Sequence, residues 1–254
     1  MSQEQRPAPE EQVSSTDPTG SSAEDRSPSP PPPARRPIFA LLAANAVSQI
    51  GNMMTAVALP WFVLETTGSA AQTGLAAAAL TGGAVLSAGL GGPLVDRLGL
   101  RRASVLGDVV SSLTVVSIPL LHFAGILAFW QLLLLVFLLA SVNAQGDTAK
   151  FALVPLLSTQ AAMPLERANA ADRAIARVGQ VVGPVSAGIL IAIVGAANVL
   201  FVHAATFAAA AIFVFVGVPS GRSSQLAEAT GARPSYFSEL AEGLRFIRGN
   251  KVTR

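Results

Sequence analysis

Gly92-Pro93-Leu94-Val95-Asp96-Arg97-Leu98-Gly99-Leu100-Arg101-Arg102 decides how this chain reads. It sets glycines, an aspartate and three arginines on a short connection between two long apolar runs, Thr73–Gly91 and Ala103–Leu121. A spanning helix needs about 20 mostly apolar residues, so a tight, basic, Asp-bearing joint between two such runs marks a membrane hairpin.

The rest of the composition agrees. Apolar residues make up 51% of the 254 positions and charged residues only 13%, where soluble chains carry about 25% charged. Mean hydropathy is +0.53. With no cysteine, disulfide scaffolds, thiolate metal sites and cysteine nucleophiles are excluded together.

Net charge is +2 and the isoelectric point lies near 9.7, but the placement of the charge says more than its total. All 17 Lys and Arg residues avoid positions 38–96, 103–149 and 178–221. A nucleic-acid footprint would gather them on one face. Here they mark alternate connections between apolar segments, as the positive-inside rule requires.

Six spans are predicted: Ile38–Leu64, Thr73–Gly92, Ala103–His122, Phe129–Lys150, Asn169–Val194 and Val199–Val218. The joints at 65–72, 123–125 and 195–198 contain no Lys or Arg. Those at 92–102, 151–168 and beyond 219 are basic, which sets both termini in the cytoplasm, and the high Ala and Gly content with Arg preferred over Lys points to a bacterial plasma membrane. Residues 1–37, rich in Pro, Ser, Glu and Gln, read as a disordered cytoplasmic tail. Residues 219–254 read as a cytoplasmic linker carrying an amphipathic helix, with Phe237, Leu240, Leu244 and Ile247 on one face.

At this point the chain resembles the major facilitator superfamily, and within it the drug and siderophore exporters. Gly92, Leu94, Asp96, Arg97, Gly99 and Arg101 match the signature between that family's second and third helices, and Arg102 adds a further cation. Leu100 departs where a basic residue is usual. The resemblance implies that this loop locks the two halves of a carrier on the cytoplasmic side and releases as the carrier switches. Gly179, Gly183, Pro184 and Gly188 resemble a pattern associated with antiporters, with Ala187 replacing one glycine. Physically, Pro184 removes a backbone donor, while Gly183 and Gly188 let another helix approach. In the fourth span, Gln145 and Gly146 fit a third signature, but Val142 stands where the family carries an arginine.

The resemblance covers about 38–254 and implies an all-α membrane protein: one six-helix bundle with a 3+3 inverted repeat. It corresponds to the first of two bundles plus the connecting segment. The implied partners are membrane lipid, a small-molecule substrate, and either a second six-helix half or a second copy of this chain. Neither an enzyme nor a cofactor is implied. His122 and His203, expected at the outer ends of their spans, lack a third ligand for a metal, and no phosphate-binding Gly-rich loop ends in Lys-Ser or Lys-Thr.

Polar stripes complete the candidate site. Asn45, Ser48, Gln49 and Asn52 share one face of the first span, and Ser141, Gln145 and Thr148 share one face of the fourth. Each amide left unpaired in lipid would cost on the order of 2–7 kcal/mol, so both stripes are expected to face protein or a watery cavity. Asp108, Asp147 and Arg177 are the ionisable residues within spans that are candidates for ion coupling. Lys150, three residues from Asp147, is expected to form a local pair with it. The functional reading is a secondary active, proton-coupled exporter of amphiphilic molecules. The other reading is a six-helix remnant or assembly factor that transports nothing alone.

Overall fold

The computed structural model describes residues 34–219, and within the second helix it describes the backbone alone at 88–94, 96 and 97. Most of the tail at 1–37 and nearly all of the linker at 219–254 therefore lie outside the described residues. Six helices follow in order: α1 Arg36–Thr67, α2 Ala70–Leu98, α3 Leu100–Phe123, α4 Phe129–Gln160, α5 Leu165–Val194 and α6 Ala196–Gly217. By length and composition, α1, α3, α4, α5 and α6 can each cross a membrane, and α2 matches them in length at 29 residues.

The helix ends are set by local chemistry. Pro37 occupies the first turn of α1, where its missing N–H loses no bond. Gly68 ends α1 in the left-handed region, and the Ser69 hydroxyl accepts from the Gln72 amide to start α2. The joint quoted at the outset shrinks to one residue, Gly99, at φ +78° between α2 and α3. Only glycine takes that conformation freely.

Both boundaries of the joint between α4 and α5 differ from the sequence reading, and α5 starts at Leu165 rather than Asn169. The predicted loop at 151–168 is mostly helix: α4 runs ten residues past Lys150, through Pro155, to Gln160. Phe151-Ala152-Leu153-Val154 continue the apolar face, and Leu153, Val154 and Leu157 are buried against α1, so packing extends the helix where charge patterning suggested a loop. At 32 residues, α4 is about 48 Å long and outreaches a hydrocarbon core of about 30 Å. The remaining connection holds Ala162 at φ 49°.

The helices pack in pairs: α1 against α5 and α6, α3 against α4 and α6, and α2 against α4. Exchanging the triplets α1–α3 and α4–α6 turns α1·α5 into α2·α4 and α1·α6 into α3·α4 and leaves α3·α6 unchanged, as a 3+3 repeat requires. The repeat-related interfaces also share a device. Gly179 and Gly183 of α5 lie against Gln49, Ile50 and Met53 of α1, and Gly83 of α2 lies against Phe137 and Ala140 of α4. The approach expected at Gly188 is made at Gly179 instead, because Gly188 has nothing within 4 Å. α5 runs unbroken through Pro184.

The outside of the bundle is apolar. Val85, Leu113, Val181, Ile193 and Val216 are each more than 60% exposed. Such continuous apolar surface suits lipid or a second bundle, not water.

Candidate functional site

The joints without cations gather at one end of the bundle, where Glu65, Thr67, His122, Phe129 and Asn198 line a cavity of about 580 Å³. A smaller cavity of about 370 Å³ opens nearer the basic end, between α1, α4 and α5. Its walls are Asn45, Ser48 and Gln49 of α1, Asp147, Thr148 and Phe151 of α4, and Asp172, Ile175 and Ala176 of α5. The second cavity is the candidate site, because it collects the polar stripes and two carboxylates beside an exposed aromatic ring. Phe151 is 65% exposed.

The stripes divide their labour. Asn45 donates from Nδ2 to Asp172 Oδ1 at 2.8 Å, tying α1 to α5 across the cavity wall. Asn52 turns away to α6, where its Oδ1 lies 3.3 Å from His203 Nε2. A carbonyl oxygen only accepts, so Nε2 carries the proton and Nδ1 accepts from the Thr55 hydroxyl beside it. His203 is thus not at the outer end of its span. It is the eighth residue of α6, 1% exposed, packed on Phe207. His122 does lie at the end of α3.

On α4, Thr148 reaches the cavity, though its hydroxyl bonds back to Ala144 O at 2.8 Å. Gln145 is half-buried. Ser141 faces α2 instead, donating to Gly83 O at 3.2 Å and to Phe137 O at 2.8 Å. It is glue between helices rather than cavity lining, because α2 comes close at a residue with no side chain.

The charged candidates do not share one environment. Asp108 is 1% exposed, inside the α3–α4 interface. Its neighbour Gly107 faces Gly146 across that interface, near enough that a Cβ on Gly107 would lie 2.8 Å from Gly146 Cα. This close approach lets Lys150, also 1% exposed, put Nζ 2.6 Å from Asp108 Oδ1. The same ammonium lies 3.6 Å from Asp147 Oδ1 and 3.3 Å from Ser48 Oγ. The local Asp147–Lys150 pair expected from spacing exists, but the shorter bond crosses to α3. Removing one member of a buried pair typically costs about 3–5 kcal/mol.

Asp147 itself is 45% exposed at its side chain and opens into the cavity. Arg177 is exposed on α5 and donates to Gln180 Oε1 at 3.1 Å. It belongs to no cluster with Asp108 or Asp147 among the described residues.

In the basic joint, the side chains of Asp96 and Arg97 lie outside the described residues, and Gly92 is described in backbone only. Arg102 is exposed. Arg101 is engaged across the bundle: its Nη2 donates to Phe215 O at 2.5 Å, and its guanidinium lies over the Phe215 ring, 5.1 Å from the centroid. It therefore caps the last turn of α6, where carbonyls lack helical partners and cations are favoured.

Sequence reasoning missed the buried polar face of α3. Ser104, Asp108 and Ser111 are all at most 1% exposed. Their i, i+4, i+7 spacing was a readable signal of a face turned inward.

Comparison with known proteins now decides the family. The sequence profile of the Major Facilitator Superfamily matches residues 41–253. The chain belongs to the Major Facilitator Superfamily. It is 32% identical over 227 residues to the multidrug efflux pump Tap of Mycolicibacterium fortuitum, covering 87% of this chain and 54% of that protein. To Tap of Mycobacterium tuberculosis it is 30% identical over 223 residues, covering 87% and 53%. An uncharacterised transporter of this superfamily, YvqJ of Bacillus subtilis, is 21% identical over 213 residues. The chain thus spans about half the length of the curated relatives it matches. No solved structure matches it. The family is one of membrane transport proteins, not of enzymes, and the all-helical bundle is a Major Facilitator bundle.

Proposed function

We propose that this chain is the first half of a secondary active exporter of small amphiphilic molecules. It works with a second six-helix bundle in the cell membrane, with both termini in the cytoplasm. The single observation that carries the reading is the cavity between α1, α4 and α5, where Asn45, Gln49 and Thr148 surround Asp147, Asp172 and the exposed ring of Phe151. A flexible polar wall beside an aromatic surface suits ligands that are part apolar and part charged. Kinship to pumps named for multidrug efflux supports the outward direction, as does the Gly179–Gly188 segment, whose glycines at 179 and 183 let α5 pack closely on α1.

In this reading the two bundles rock about the cavity. Asp96 with Arg97 and Arg102, hinged at Gly99, closes the basic side against the partner bundle. Proton exchange at an acidic residue of the cavity drives the cycle; of the expected candidates Asp108, Asp147 and Arg177, only Asp147 opens into it. A proton bound on the outward-open side cancels a carboxylate charge, weakens its hold on a cationic substrate, and leaves when the site faces inward.

The test uses the complete carrier, this chain with its second half, reconstituted in vesicles loaded with a fluorescent amphiphile. Imposing a proton gradient is expected to accelerate dye movement against its concentration gradient. Flux that is indifferent to the gradient overturns the coupling, and absence of any flux overturns the exporter.

A further inference from the structure

Lys150 has no role in the reading above, yet it is a lysine 1% exposed at the meeting of α1, α3 and α4. A charge at that depth is a functional hypothesis by default. Its ammonium donates to Asp108 Oδ1 at 2.6 Å and to Ser48 Oγ at 3.3 Å, and forms a looser ion pair with Asp147 Oδ1 at 3.6 Å. The two carboxylates differ in access. Asp108 is sealed between helices, whereas the Asp147 side chain is 45% exposed in the cavity. The family's arginine is missing at Val142, two helical turns before Lys150 on the same helix.

We propose that Lys150 is a positioning residue that makes Asp147 the exchangeable acid of this cavity. Asp108 holds the ammonium permanently, through the short bond that the Gly107–Gly146 contact permits. Lys150 in turn holds its charge beside Asp147 without neutralising it fully, at the longer distance. Asp147 takes a proton from cavity water to become the neutral acid and gives it back to cavity water. Asp108 stays beside the ammonium as its counter-ion while Asp147 exchanges.

The other charged groups near this centre are few. α1 contributes only neutral Asn45, Ser48 and Gln49 to the cavity. α5 contributes Asp172, occupied by Asn45 at 2.8 Å, and its Arg173 and Arg177 are exposed. The side chains of Asp96 and Arg97 on α2, which packs on α4, lie outside the described residues.

The proposal rests on the transport reading for its purpose, but its test does not need transport. Dicyclohexylcarbodiimide adds to protonated carboxyl groups that it can reach. The intact chain in lipid nanodiscs is labelled across a pH series, and the adduct is located by mass spectrometry. Asp147 is expected to carry the label, at a rate that falls as pH rises, with Asp108 unlabelled. Lys150→Met is expected to raise the Asp147 rate at neutral pH on the order of tenfold or more, since a charge at 3.6 Å is worth over 1 kcal/mol even at the dielectric of water. Lys150→Arg is expected to stay near the native rate, which separates loss of charge from loss of fold. Asp108→Asn turns the ammonium wholly toward Asp147 and lowers the rate. Label on Asp108 in the native chain overturns the proposal. So does absence of label on Asp147, or a shift in the same direction for Lys150→Met and Asp108→Asn.

Discussion

Gly107→Ala is the substitution whose effect follows most directly from the geometry. An added Cβ would sit 2.8 Å from Gly146 Cα and 3.2 Å from Gly146 N. Both are backbone atoms of a packed helix and cannot turn aside. Carbon atoms settle at about 3.5–4.0 Å, so α3 and α4 must part by about 0.7 Å at this level. Asp108 is the next residue, and its 2.6 Å bond to Lys150 then stretches past the usual limit of about 3.2 Å. Overpacking of this kind costs about 1–3 kcal/mol, set against up to about 1 kcal/mol regained from alanine's better helix propensity.

Gly188→Ala supplies the control, because nothing lies within 4 Å of its added Cβ and only the propensity gain of up to about 1 kcal/mol applies. Gly146→Ala is intermediate, since its Cβ would meet Gly107 Cα at an ordinary 3.4 Å. Reversible denaturation in mixed micelles is expected to rank stability as Gly188→Ala, then Gly146→Ala, then Gly107→Ala, with about 1–3 kcal/mol between the extremes. Gly107→Ala as stable as Gly188→Ala would refute the claimed contact, and with it the reason Asp108 meets Lys150.

Other substitutions probe separate parts of the bundle by the same denaturation assay. Asp108→Ala leaves Lys150 with a single, more distant carboxylate and is expected to cost about 3 kcal/mol or more. His203→Leu strands the Thr55 hydroxyl and the Asn52 carbonyl that the ring now serves, costing about 1–3 kcal/mol. Ala162→Gly relieves a residue held at φ 49° and is expected to stabilise by about 1 kcal/mol.

The residues themselves show what was readable from sequence and what was not. Span number and the pairing of ends followed from hydropathy and from where arginine is absent, both of which act along the chain. Gly99 was legible as a turn because its neighbours are charged and its conformation suits few other residues. The Lys150–Asp108 bond was not legible. The two residues are 42 apart, and only the close approach at Gly107 and Gly146 brings them together. Lys150 was therefore paired with Asp147, its sequence neighbour. The α4 extension was missed because Phe151–Gln160 contains Pro155 and lies among basic positions, whereas burial of Leu153, Val154 and Leu157 decided the matter. Asn52 and Ser141 were assigned to a cavity by their stripe, but a stripe about 60–100° wide can face two neighbours. His203 took Asn52, and Gly83 took Ser141.

Every functional statement depends on the basic and the cation-free joints lying on opposite faces of a membrane. The chain has no cysteine, so single cysteines introduced as Ser69→Cys and Arg102→Cys report without background. In intact cells, a membrane-impermeant maleimide is expected to label the first at once and the second only after permeabilisation. Equal labelling of both from one side would contradict the bundle's place in the bilayer, and the exporter with it.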